Sequence, residues 1–420
     1  MTRLYPGPMD ADGFWIDHPA HRAFLRADAA RQFAFFAASP RRYPDAAPGF
    51  HVLDYTGAPL ASDLQELHTT TRLVHSYALG IAAGLPGAGE IVDQGMDYLW
   101  SHHRDPDHGG YVWGMAGDQV ADGRKLAYGH VFVLLAGASA KIAGHPDADR
   151  LIADVWQQLD RHFWEDGPGL FADEFNRDWT PFSDYRGMNA NMHATEALLT
   201  AYEATGDRVY LDRAGRILDF FLTRMAAAEG WRIPEHYHAD WQPDRAYAGD
   251  PMFRPRGTTP GHSFEFGRLA LQWWDLAGRP ADGTPARARA LIETALAAWQ
   301  PRGGLAYTLH FDGTVDVPDR YWWPVTEAIG ALAALIKLDR RPEDEVWYRR
   351  FWAFADAHLI DHARGGWFPE LDAEDRPTAR QFHGKPDIYH SVQAVLFPLA
   401  PGLSRAADGL ASDLVPNLAG

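Results

Sequence analysis

The residues able to move protons fall in a few short strings. His262 and Glu265 stand three apart, Asn189 and His193 four apart with Glu196 following, and Arg72 precedes His75 by three. His130, Glu327 and His390 each interrupt an otherwise apolar stretch. Spacings of three and four put two side chains on one helical face. An imidazole titrates near neutral pH, so a single histidine can take up a proton and give it back. A His and a Glu one turn apart also suit a metal ion, but Arg72 is a poor neighbour for a bound cation. The reading is therefore metal-free acid–base chemistry. Cysteine is absent, which removes thiolate nucleophiles, disulfides and cysteine-based metal sites together.

Residues this far apart need a repeating scaffold to meet. Short Gly-aromatic segments recur around Gly49, Gly110, Gly169, Gly230, Gly304 and Gly366, at spacings of 61, 59, 61, 74 and 62. Six units of roughly sixty residues fill the chain. Between the markers the apolar residues follow steps of three and four, as in Leu64, Leu67, Thr71, Val74, Ala78 and Ile81. This periodicity predicts helices over 18–39, 60–81, 89–103, 125–143, 148–164, 189–205, 208–228, 262–277, 284–300, 322–337, 344–360 and 387–398. An open stack of hairpins needs polar end caps, and the last helix, with Val392, Val395, Leu396 and Phe397, is as apolar as the inner ones. The expected fold is all-α, a closed (α/α)6 barrel of twelve helices with short β-hairpin-like connections at one end, in a single domain over residues 1–420.

The polar residues hold a common register in this frame. Arg72, His130, His193, His262, Glu327 and His390 follow their markers by 23, 20, 24, 32, 23 and 24 residues, the fourth lengthened by an insertion over 247–260. Equal offsets on successive inner helices converge on one mouth of the barrel and form a candidate site. Taken singly, His75 and His130 have an ordinary reading as hydrogen-bonded packing residues. Glu327 could serve the site or pair with a structural arginine, Asn189 could be an N-cap, and Trp322 and Trp323 could floor a sugar subsite or fill core.

Composition narrows the partners. Of 420 residues, 46% are hydrophobic and 23% charged, and the net charge is −17. Such an acidic chain suits neither nucleic acid nor an anionic membrane. The first fifteen residues lack an apolar run of signal-peptide length, and the most apolar stretch, 130–140, is too short to span a bilayer. The expectation is a soluble cytoplasmic protein acting on a small molecule, with homo-oligomerisation left open. The sequence contains neither a GxGxxG after a strand nor a Walker string, so no cofactor is expected.

The strings TTTRLVHSYALG (69–80), AYGHVFVLLAGASA (127–140), RGMNANMHATEALLTAYEATGD (186–207), EHYHADW (235–241), PGHSFEFGRL (260–269), YWWPVTEA (321–328) and GKPDIYHSVQA (384–394) resemble the N-acylglucosamine 2-epimerase superfamily. The strings around His130 and His193, with EHYHADW, resemble most its mannose isomerase and sulfoquinovose isomerase branch. The resemblance implies that Arg72, Asn189, His193, His262, Glu265, Glu327 and His390 line a sugar site. Tyr128, His130, Trp322 and Arg254 are further candidate sugar contacts. The expected reaction is D-mannose to D-fructose isomerisation, extending to lyxose and xylulose, through an enediol. His390 would shuttle the proton between C2 and C1, and His262, held by Glu265, would be the second acid/base. Arg72 would stabilise the enediolate oxygen, His193 would assist ring opening, and Asn189 and Glu327 would orient hydroxyls.

Four rivals follow. Sulfoquinovose isomerisation needs a cation for the sulfonate, from Arg186, Arg254, Arg256 or Lys385. The others are C2 epimerisation of an N-acylglucosamine or cellobiose type, a glycoside hydrolase built on two carboxylates, and a sugar-binding barrel without catalysis. The catalytic reading requires His193, His262 and His390 to face one compartment.

Overall fold

A computed structural model describes residues 12–41 and 48–410; the N-terminal segment 1–11 read above lies outside the described residues. Six helices form an inner ring and six an outer ring. The inner helices are α2 (Leu67–Ala82), α4 (Ala127–Ile142), α6 (Met188–Thr205), α8 (Pro260–Leu276), α10 (Trp322–Asp339) and α12 (Tyr389–Leu399). The outer helices are α1 (Pro19–Phe36), α3 (Ala88–Tyr98), α5 (Ala148–Gln158), α7 (Arg208–Leu218), α9 (Thr284–Ala295) and α11 (Pro342–Phe354). Each inner helix packs on its neighbours in turn, and α12 closes the ring against α2. The N-terminal α1 packs on α12 and so completes the sixth hairpin. This is the (α/α)6 barrel.

Burial follows position. Inner helices touch both the lumen and the outer ring, so they are apolar nearly all round; in α4 every residue from Gly129 to Ala140 is buried. Outer helices bury one stripe, as α5 does with Leu151, Ile152 and Val155. Four of them end in a wider turn with hydrogen bonds five residues apart, Arg104 N–H to Leu99 O and Ile360 N–H to Ala355 O among them.

Two expectations are corrected. The second helix begins at Leu67, not Leu60, because Leu64–Glu66 pairs as a strand with Gly114–Ala116. The connections are only partly hairpins: Gly114–Ala116 with Gln119–Asp122, Trp164–Glu165 with Leu170–Phe171, and Thr308–Leu309 with Val315–Val317. The other pairings link one connection to the next. Lys125–Leu126 meets Glu174–Phe175, Arg186–Gly187 meets His236–Tyr237, Arg320–Tyr321 meets Glu370–Leu371, and Leu53–Asp54 meets Gly384–Lys385. The fourth joint is a bridge between Thr258 and Leu309. Backbone pairing thus fastens the mouth as a closed chain. A short thirteenth helix, α13 (Ala406–Leu410), lies at the opposite end beside α12.

In three units a cation just ahead of the inner helix reaches back to the Gly-aromatic turn. Lys125 donates to Asp105 and Gly109 O, Lys385 to Asp361 and Gly365 O, and Arg320 to Gly303 O. Gly110 adopts φ +68°, and a Cβ there would lie 2.6 Å from Trp179 and 2.8 Å from His130 Nε2, so the turn needs glycine for both conformation and space.

Candidate active site

The mouth opens into a cavity of about 670 Å³ at the N-terminal ends of the inner helices. Its wall includes Arg72, Tyr128, Asn189, His193, Arg254, His262, Glu265, Trp322 and His390. His193, His262 and His390 therefore face one compartment, brought there from α6, α8 and α12.

Each of two histidines is held through Nδ1 by a buried carboxyl group. His262 Nδ1 lies 2.9 Å from Glu235 Oε2 and 3.1 Å from Oε1. His390 Nδ1 lies 2.8 Å from Glu327 Oε1. In both, Nδ1 donates and Nε2 is left to accept or release a proton. The Trp323 ring stands between them, 5.0 Å from the His262 ring and 5.8 Å from that of His390.

The expected partnership of His262 with Glu265 is corrected. Glu265 and His262 share a face of α8, but Glu235, on the connection before the helix, reaches His262. Glu235 also accepts from the Thr259 N–H at 3.1 Å. Glu265 instead lies 3.6 Å from His193 Nδ1, with neither carboxyl oxygen hydrogen-bonded. Burial, together with Glu327 and Glu196 nearby, holds its carboxyl well above the usual range, against the pull of Arg268 and Arg72. Glu265 is a neutral acid with a proton to donate. Burial pushes His193 down to about 4, despite Glu196 beside it, so its ring is neutral at pH 7.

Arg72 is fixed rigidly. Nη1 donates to Asp387 Oδ2 at 2.7 Å and Nη2 to the Tyr128 hydroxyl at 2.8 Å, and the guanidinium packs over the Phe132 and Tyr389 rings. Burial opposes its charge, but Tyr128, Asp387 and Tyr389 outweigh it and keep Arg72 cationic. Asn189 lies inside the first turn of α6 rather than at its cap, with Oδ1 unpartnered.

Three residues take structural places. His130 is completely buried, and its ring lies between Leu126 O at 2.8 Å from Nδ1 and the Tyr111 N–H at 3.0 Å from Nε2. It anchors the Gly-aromatic turn and does not line the cavity, which corrects its place among the sugar contacts. His75 bonds Ser139 and Gln393 below the site. Arg254 lines the cavity but donates to Glu174 at 2.8 and 3.3 Å and stacks 3.9 Å over Tyr185. It ties the 247–260 insertion to the neighbouring connection. Tyr307 binds Met252 O and His236 Nε2 binds Pro255 O in the same insertion.

The other cations named for a sulfonate are also engaged: Arg186 with Glu165, Arg256 with Asp316 and Lys385 with Asp361. The lining carries Glu66, Glu174, Glu235, Asp250 and Asp387 against Arg72, Arg124 and Arg254, while burial raises the carboxyl groups of Glu265 and, to about 8, Asp173. Such a wall repels anionic sugars. Two donor sets could hold a cation, His193 with Glu196 and Glu265, and Glu265 with Glu327 and His390, each with ligand atoms within 4.8 Å.

Sequence reasoning passed over Glu235 and Asp387 because it tracked inner helices, and both residues precede one. The signal for Glu235 was its place in the string EHYHADW, five residues after Gly230.

Residues 49–394 match the family described as N-acylglucosamine 2-epimerase (GlcNAc 2-epimerase). The chain belongs to that family. It is 41% identical over 405 residues to a D-mannose isomerase of Thermobifida fusca, covering 93% of this chain and 98% of the relative. A D-mannose isomerase of Pseudomonas cannabina pv. alisalensis is 36% identical, covering 94% and 97%. A crystal structure of D-mannose isomerase superposes with a TM-score of 0.84 at 31% identity, over 91% of this chain and 99% of that one. Among the described residues no helix is long and apolar enough to cross a membrane.

Proposed function

We propose that this protein is a cofactor-independent aldose–ketose isomerase, a single catalytic domain that interconverts D-mannose and D-fructose. The observation that carries the reading is the pairing of His390 with Glu327 and His262 with Glu235 on one cavity wall, beside the cation Arg72 and the neutral acid Glu265. The two full-length D-mannose isomerase relatives support the choice of sugar, and the acidic wall supports an uncharged one.

The reaction needs an open chain. His262 Nε2 takes the anomeric hydroxyl proton while Glu265 donates to the ring oxygen beside the neutral His193, and the ring C–O bond breaks to leave the C1 aldehyde. His390 Nε2 then removes the C2 proton. The electron pair forms the C1–C2 double bond and the C1 carbonyl oxygen gains charge, giving an enediolate. Arg72 lies beside that oxygen; one well-placed donor of this kind contributes about 3 kcal/mol. His262, protonated in ring opening, gives its proton to the C1 oxygen and takes the C2 hydroxyl proton as the C2 carbonyl forms; His390 returns its own proton to C1, and the product is the ketose. Asn189 and the Trp322 and Trp323 rings orient the chain. The Arg72 and Arg268 charges act on the buried Glu265 carboxyl group and oppose a second cation beside it, which supports metal-independent chemistry.

The test is incubation of the chelator-treated protein with D-mannose in heavy water. Fructose should form with deuterium entering at C1, and His390→Ala should abolish both while the fold persists. Absence of fructose and of exchange at C2 with the unmodified protein rejects the reading. Sulfoquinovose offered in parallel should be a far poorer substrate.

A further inference from the structure

Helix α8 carries three polar residues down one face. His262 and Glu265 face the sugar cavity, whereas Arg268, one turn further on, reaches towards the far end of the barrel. Arg268 is buried and touches none of the cavity described above. Its Nη2 donates to Glu327 Oε2 at 3.4 Å, its guanidinium lies 4.7 Å from the Phe397 ring centroid, and its Nε has no partner. Gly330, one turn beyond Glu327, makes the room: a Cβ there would stand 3.3 Å from Arg268 Cδ and 3.6 Å from Nε.

Glu327 is thus gripped from both sides. Its Oε1 faces His390 Nδ1 and its Oε2 faces Arg268. The same guanidinium is attracted to Glu196 on α6 and Glu265 on its own helix, and Tyr389 on α12 adds to that field. Glu196 in turn accepts from Tyr389 and, at 3.3 Å, from Gln393, and it faces His193 and His75. Behind Arg268 a cavity of about 50 Å³ is lined by His75, Ser139, Glu196 and Gln272. That is space for about three waters to hydrate the guanidinium's remaining donors.

We propose, on the isomerase reading above, that Arg268 is a positioning residue: it holds Glu327 against His390. It reaches no substrate atom. Its effect passes through Glu327 to the imidazole that handles the C2 proton.

Arg268→Met removes the charge and keeps most of the volume; Arg268→Lys keeps the charge and loses the fork. For Arg268→Met, kcat on mannose should fall about tenfold to a hundredfold, with KM within about twofold. Arg268→Lys, which keeps the charge, should recover part of the lost kcat, and Gly330→Ala, which presses on the Arg268 side chain, should lose kcat more weakly than Arg268→Met. The proton resonance of His390 Nδ1–H, assigned by its loss in His390→Ala and read with no sugar present, reports the hydrogen bond to Glu327; it should move or broaden away in Arg268→Met and return towards the parent position in Arg268→Lys. An active parent whose Arg268→Met variant folds and keeps both its kcat and this resonance overturns the assignment. An inactive parent would count against the isomerase reading alone, since the resonance still decides the role of Arg268.

Discussion

Replacing Glu235 with glutamine is the sharpest test of the His262 arrangement, because the surroundings dictate which way the amide turns. Glu235 Oε1 accepts from the Thr259 N–H at 3.1 Å, and Oε2 lies 2.9 Å from His262 Nδ1. In Glu235→Gln the amide oxygen must occupy the Oε1 position, since an NH2 group there would face a backbone donor and cost about 1–3 kcal/mol. The NH2 group is left at the Oε2 position, where it donates to Nδ1. The imidazole then carries its proton on Nε2, towards the sugar, and cannot accept one. Shape and volume are unchanged, so the fold should hold. A misplaced tautomer removes general base catalysis, a loss of about 10²- to 10⁴-fold in kcat, or roughly 3–5 kcal/mol in the barrel's contribution to the barrier. Initial rates of fructose formation from mannose measure it, with thermal unfolding as the control. A Glu235→Gln enzyme that folds normally and retains kcat within about threefold would refute both the tautomer assignment and the role given to His262.

Other perturbations follow from the same geometry. Asp105→Asn should destabilise the protein by about 3–5 kcal/mol in urea unfolding, because it leaves the fully buried Lys125 ammonium without its 2.9 Å partner. Gly110→Ala should lower stability by about 2 kcal/mol or more, read by thermal melting, since the φ of +68° and the Trp179 and His130 contacts both oppose a side chain. Glu265→Gln concerns pH. The folded state raises the Glu265 carboxyl well above 4.5, so its contribution to stability is present below the unfolded value and is lost as pH rises towards the folded one. The glutamine variant should therefore melt above the parent at pH 8 and together with it at pH 4.

How the site was legible differs from residue to residue. The shared offset found Arg72, His193, Glu327 and His390 because equal distances from a turn become equal heights on neighbouring helices. It failed at His130. In the second unit a residue 23 beyond the marker is the apolar Val133, while Tyr128, earlier on α4, is the one that reaches Arg72. His130, three short of the common offset, sits low enough to bind the Gly-aromatic turn instead.

The sequence by itself determined the ring. Helical periodicity, six Gly-aromatic turns and the absence of a polar cap leave few ways to bury this much apolar surface, and those local patterns survive without knowledge of any long-range contact. Only the tertiary structure decided which acid serves which base. Glu235 and His262 are 27 residues apart, and Glu327 and His390 are 63 apart. Such pairings depend on the rotation of each helix about its axis and on where a connection crosses the mouth. The neutral state of Glu265 was likewise invisible in one dimension, because it arises from burial beside two other glutamates delivered by α6 and α10.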